Sequence, residues 1–167
     1  MEDNNGLKKL RAYKETLLEA IISDEQLTKA IANNTTNFLD DAVTEPGQLL
    51  YKQIFPYKWT LPEIPDRKEV YITMTFDIGR LEGGIFNDII FNIYVFVHKD
   101  IMRIYNGTQY LLRSDFIMEK LEDLFHNSSE FGVGRLELLG IGEVFATPEM
   151  PGFFLTFATV DRAGNRK

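Results

Sequence analysis

Cysteine is absent from the 167 residues, which excludes disulfides, thiolate nucleophiles and cysteine-based zinc sites together. Long apolar runs are missing too, since none approaches the ~20 residues that span a bilayer. The first twenty residues carry charge throughout, from Glu2 and Asp3 to Glu19, so no signal-peptide core stands there. These absences predict a soluble protein made in the cytoplasm, with no membrane contact. Histidine is scarce: His98 and His126 are the two present, and they lack the H-x-x-x-H or H-x-x-E-H spacing of metal or acid–base pairs. Lysine and arginine (18) are outnumbered by aspartate and glutamate (25), and the net charge of −7 argues against a protein that grips duplex DNA. Such binding needs clustered cations to displace counterions, and here they are scattered singly. Asn33, Asn34, Asn106 and Asn127 open N-x-Ser/Thr triplets, which read as turn asparagines where no export signal precedes them.

What is present is alternation. Val70, Ile72, Met74 and Phe76 point one way, and Ile89, Phe91, Ile93, Val95 and Val97 repeat the device after Gly79, Gly83 and Gly84. A period of two in β-branched and aromatic residues marks half-buried strands, so 70–97 reads as a long hairpin. Leu136 to Phe145, interrupted by Gly140 and Gly142, and Phe153 to Val160 read as a second hairpin, the glycines marking a bulge or bend. Residues 7–22 have helical spacing, and Ser23 reads as the cap of a second helix from Asp24 to about Asn33. Ser114 to Phe125 forms another, with Tyr110, Leu111 and Leu112 as a backward extension. Lys99 to Thr108 reads as polar and turn-like around Asn106-Gly107. Roughly 70% of the unfolded surface of a chain near ~150 residues can be buried, so one domain suffices. The expected fold is α+β: a mainly antiparallel four-stranded sheet of two hairpins, helices on one face, a two-layer sandwich. Within it we expect N-terminal helices over 1–44, an aromatic and proline-rich segment over 45–69, and a hairpin-helix-hairpin core over 70–162.

Chemistry is hard to find. Asp77, Glu82 and Asp88 cluster near the first hairpin tip, where Asp77 and Asp88 are the pair best placed for a cation; adjacent surface carboxylates are more often merely solvated. A restriction-type nuclease needs Glu-x-Lys on a later strand, but Glu137 is followed by Leu138 and Leu139. Gly132-Val133-Gly134-Arg135 precedes a strand and lacks both the third glycine and the lysine of phosphate loops. Ser114, Ser128 and Ser129 show no partners of a nucleophilic triad. No catalytic residue, metal ligand or cofactor is expected. Two other candidates remain contact residues. The rings Tyr51, Phe55, Tyr57 and Trp59 sit among prolines and either complete the core or anchor a neighbouring subunit. Arg80, Leu81, Glu82, Ile85 and Phe86 mix charge with apolar contact at the hairpin tip, or form an ordinary loop.

Leu50-Tyr51-Lys52-Gln53-Ile54-Phe55-Pro56-Tyr57, the strand pair after it, and Gly134-Arg135-Leu136-Glu137-Leu138 before a last strand resemble small neck or tail proteins of tailed bacteriophages. Over roughly residues 45 to 162 the order of elements is similar to the tail terminator (tail completion, head–tail joining) family. That resemblance implies a structural, non-enzymatic virion protein assembled in the host cytoplasm. It implies a homo-oligomer, a hexameric ring, that caps the tail tube and meets the tube protein and the head connector or stopper. DNA would pass through its acidic lumen without specific binding. The competing readings are another neck or baseplate component such as a connector adaptor, a small-ligand-binding α+β module, and a metal-dependent enzyme using Asp77 and Asp88.

Overall fold

A computed structural model of the chain describes residues 6–61, 67–80, 86–132 and 134–162. In chain order the elements are helices α1 (Gly6–Ser23) and α2 (Glu25–Ala32), then strands β1 (Ile54–Phe55), β2 (Val70–Arg80) and β3 (Phe86–Val97). The short strands β4 (Arg103–Tyr105) and β5 (Tyr110–Leu112) follow, then helix α3 (Arg113–Phe125) and the long strands β6 (Glu137–Thr147) and β7 (Met150–Arg162).

The sheet is not the four-stranded antiparallel one that alternation predicts. It is mixed and five-stranded among the described residues, in the order β1-β2-β3-β7-β6. The extra strand, β1, runs parallel to β2, with Ile54 beside Ile72 and Phe55 beside Thr73. Two residues are too few for a period of two to show, and the prolines around them masked the strand. A second departure is the ribbon of β4 and β5, where the sequence reads as a turn followed by a helix extension. Asn106 explains it: its side chain accepts hydrogen bonds from the backbone of Thr108 (3.0 Å) and Gln109 (2.9 Å). That fixes a tight reversal whose flanks pair from Tyr105–Tyr110 to Arg103–Leu112.

All three helices lie on one face of the sheet. Val70, Ile72 and Met74 of β2, Phe91, Ile93 and Val95 of β3, and Leu155 and Phe157 of β7 share one core with the helices. The helices contribute Leu17 and Ile21 of α1, Leu27 and Ile31 of α2, and Ile117, Leu121 and Phe125 of α3. The cap of α2 is Asp24, not Ser23; its carboxylate accepts the Leu27 N–H at 2.7 Å. Helix α3 starts one residue earlier than the serine signal predicts. It grows directly out of β5, and the first N–H, that of Arg113, is already taken by the Met102 carbonyl at 2.6 Å. Ser114 is therefore buried and caps nothing.

Two glycines shape the opposite face. Gly152 pairs with Phe96, and a methyl group there would meet the Phe96 ring at 2.5 Å and Val144 at 2.8 Å. Gly142 stands in the same relation to Phe154, at 2.8 Å. Phe96 is buried and cannot move aside, whereas Phe154 is half-buried and can swing outward. Gly152→Ala is therefore expected to destabilise the fold by about 1–3 kcal/mol, the usual cost of overpacking, and Gly142→Ala by clearly less. Urea unfolding of the two variants measures the difference; equal losses would contradict this account of the face.

Candidate assembly surface

The helix-free face of the sheet carries a second, smaller core. Phe55, Tyr71, Phe96 and Met150 are buried there, with Trp59, Leu61, Tyr94, Val144 and Ala146 packed around them. The segment after β1 is laid over β2 by one side chain: the Thr73 hydroxyl donates to the Tyr57 carbonyl (2.5 Å) and accepts from the Trp59 N–H (2.9 Å). Phe55 and Trp59 then stack at 4.5 Å, and Trp59 tilts against Tyr71 at 4.8 Å. Burial, then the contact with Glu69, pushes the Tyr71 phenol up to about 12, so it stays a neutral donor to that carboxylate.

The four rings singled out from the sequence therefore divide. Phe55 is buried and Trp59 half-buried in this second core, while Tyr51 and Tyr57 are 62% and 46% exposed. Tyr51 holds a left-handed backbone, φ 62°, a conformation that a bulky residue adopts only against a steric cost. Of the hairpin-tip residues, Leu81, Glu82 and Ile85 lie outside the described residues. Arg80 and Phe86 end the paired stretch of β2 and β3, and their backbones alone are described.

The residues weighed for chemistry do not gather. Asp77 lies opposite Ile90 and Asp88 opposite Gly79, so these two carboxylates are offset by two positions. His98 caps the 3-10 turn Lys99–Ile101, its Nδ1 accepting the Asp100 N–H at 3.2 Å. His126 closes α3 and accepts the Leu138 N–H at 3.3 Å. On the open face Thr75, Asn92 and Thr156 satisfy one another across three strands, at 3.1 and 2.6 Å. Gly132 takes a left-handed φ of 87° in a loop whose buried Phe131 plugs the core against Phe91 and Phe125. Among the described residues no group of three or more histidine, aspartate or glutamate side chains could hold a metal ion. No described helix is long and apolar enough to cross a membrane.

What sequence reasoning missed is the far edge of the sheet. Strand β6 pairs with β7 on one side and has no described strand partner on the other. Leu139, Ile141 and Phe145 along it are 59%, 51% and 86% exposed. Two register shifts, at Leu138/Gly140 and Val144/Thr147, twist this edge, as strand edges commonly are to discourage indiscriminate pairing. The apolar side chains persist nonetheless. Beside Phe145 an open hollow of about 380 Å³ is walled by Pro148, Pro151 and Phe153, with Glu143 as its one ionisable side chain. The sequence signal was present, in the run Leu138, Leu139, Ile141, Val144 and Phe145. Which of these faced solvent depended on the bulges.

No curated protein matches the chain. The model of one protein family, YomW, matches residues 24–159, a span that includes α2, α3 and the sheet except the last three residues of β7. The match covers well over half of the chain, which thus belongs to the YomW family, a phage-associated family.

Proposed function

We propose that this chain is a structural, non-enzymatic virion protein of a tailed phage. In this reading it is a tail terminator-like ring subunit that caps the tail tube and joins it to the head connector. One observation carries the reading: in a member of a phage-associated family, large apolar side chains stand exposed along a strand edge, while His98 and His126 are spent on a turn and a helix end. Exposed apolar groups in a row mark a contact surface. The net charge of −7 suits a ring through which DNA passes without adhering, since every phosphate contact would raise affinity and slow passage. The exposed Tyr51 and Tyr57 are further anchors for a neighbour.

Deleting the gene from its phage tests the proposal. We expect filled heads without joined tails and free tubes of uncontrolled length, visible by negative stain. Normal tailed particles, or wild-type particles that lack the protein, would sink it.

A further inference from the structure

Both outer edges of the sheet have a stretch without a strand partner among the described residues, and on the helix side the groups beside them are opposite in charge. At one end β1 covers only Ile72 and Thr73 of β2, so Met74 to Gly79 has no described partner on that side. At the other end β6 has no strand partner on its outer side among the described residues, and His126 takes the one N–H of Leu138 at 3.3 Å. Beside the β2 edge stand Lys14, whose ammonium lies 5.1 Å from the Phe76 ring, and the exposed Lys52 and Lys58 flanking β1. Beside the β6 edge, Asp115, Glu119 and Glu122 of α3 line a small groove with Ile141, and Glu143 is exposed on β6 itself.

Pairing rows run straight across the sheet. One passes from Ile54 through Ile72, Val95 and Phe153 to Glu143; another from Asp77 through Ile90 and Ala158 to Glu137. The basic residues flanking β1 are therefore level with Glu143, and the open part of β2 is level with the first half of β6. Direction matches as well. Strand β2 is antiparallel to β3, β3 to β7, and β7 to β6, so β2 and β6 run in opposite senses. A second copy set beside β6 in the same orientation offers its β2 antiparallel to it, and the alternation continues unbroken.

We infer that the β6 edge of one copy pairs antiparallel with the open β2 edge of the next. The sheet is thereby extended by strand addition, and the α3 carboxylates come to face Lys14 of the neighbour. Two different edges meeting head to tail make a heterologous contact, which closes into a ring when the rotation between copies allows. On the helix side the charges also oppose β6 meeting β6, which would set the α3 carboxylates against one another, whereas Glu137 and Asp77, at the two ends of one row, share a sign. This interface deepens the ring reading above and rests on it.

Because the chain has no cysteine, engineered thiols report the contact without competition. Glu137 and Asp77 are exposed and lie at opposite ends of one row. Copies carrying Glu137→Cys, mixed under mild oxidation with copies carrying Asp77→Cys or Thr75→Cys, are expected to give cross-linked heterodimers. The double variant Glu137→Cys/Asp77→Cys or Glu137→Cys/Thr75→Cys is expected to give a ladder of linked copies. Both products should fade as salt is raised, because exposed charges are screened. Homodimers of Glu137→Cys alone would overturn the inference in favour of a two-fold β6 contact. A ring by mass with no mixed cross-link would overturn the inference and leave the ring intact. A monomer by mass at every concentration, with no cross-link, would overturn both.

Discussion

Replacing Arg113 with methionine is expected to remove about 3–5 kcal/mol of folding stability, because several buried carbonyls lose their donor at about 1–3 kcal/mol for each left unsatisfied. Arg113 is fully buried, and no carboxylate among the described residues pairs with it. Its guanidinium instead donates to four backbone carbonyls: Nε to Ile101 at 2.8 Å, Nη1 to Ala30 at 2.8 Å and Asn33 at 2.5 Å, and Nη2 to Thr35 at 2.7 Å. Ala30 and Asn33 belong to the C-terminal end of α2, where unpaired carbonyls and the helix dipole concentrate partial negative charge. Burial lowers this group from its usual range to about 10, still well above neutrality, so it remains a cation answered by carbonyl dipoles. The side chain ties α2, the turn before β4 and the start of α3 into one unit. Methionine fills much of the space and supplies no donor. Arg113→Lys is expected to lose about 2 kcal/mol, because one ammonium cannot reproduce a planar fork of donors. Urea unfolding distinguishes these outcomes. A methionine variant within about 1 kcal/mol of the parent would contradict this role for the guanidinium.

Phe91→Ala is the second large effect, about 3–5 kcal/mol from lost burial and the cavity left behind. Phe91 is 1% exposed, and its ring meets those of Phe76, Phe125, Phe131 and Phe157 at 5.3 to 6.3 Å. It is therefore the point where β2, β7, α3 and the loop before β6 all touch. Phe91→Leu keeps most of the volume and should cost much less. Denaturant midpoints of the pair read the difference. An alanine variant losing under about 1.5 kcal/mol would mean that the surrounding rings collapse into the gap, and that the core is looser than its geometry implies.

The long strands were legible because their alternation is written in consecutive residues. Val70 to Met74 and Phe91 to Val97 place the same residues on the helix side that the period of two selects. Three kinds of feature were illegible. Very short strands, such as Ile54–Phe55 or Arg103–Tyr105, hold too few residues to show a period. They form because a neighbouring strand offers free carbonyls and N–H groups. The burial of Arg113 depends on four carbonyls from segments up to 83 positions away, and no local pattern announces it. The exposure of Leu139, Ile141 and Phe145 depends on bulges that turn an apolar run toward solvent.

The candidate surface was half legible for the same reason. A cluster of rings and prolines marked the segment after β1. Dividing it into packed rings (Phe55 and Trp59) and exposed ones (Tyr51 and Tyr57) required knowing that Thr73 pins the segment onto β2. The strand β6 was recognised as a strand, but its place at the sheet edge follows only from the order of pairing. Once that order is known, β6 is seen to have β7 as its one strand partner among the described residues.

The central claim is that this protein works by contact between copies of itself. The mass of the purified chain, measured in solution across concentrations and low to moderate salt, tests it most directly. The account predicts a closed assembly near six times the 19.3 kDa chain mass. A particle of 19.3 kDa throughout, unchanged when tube and connector proteins are added, would contradict it.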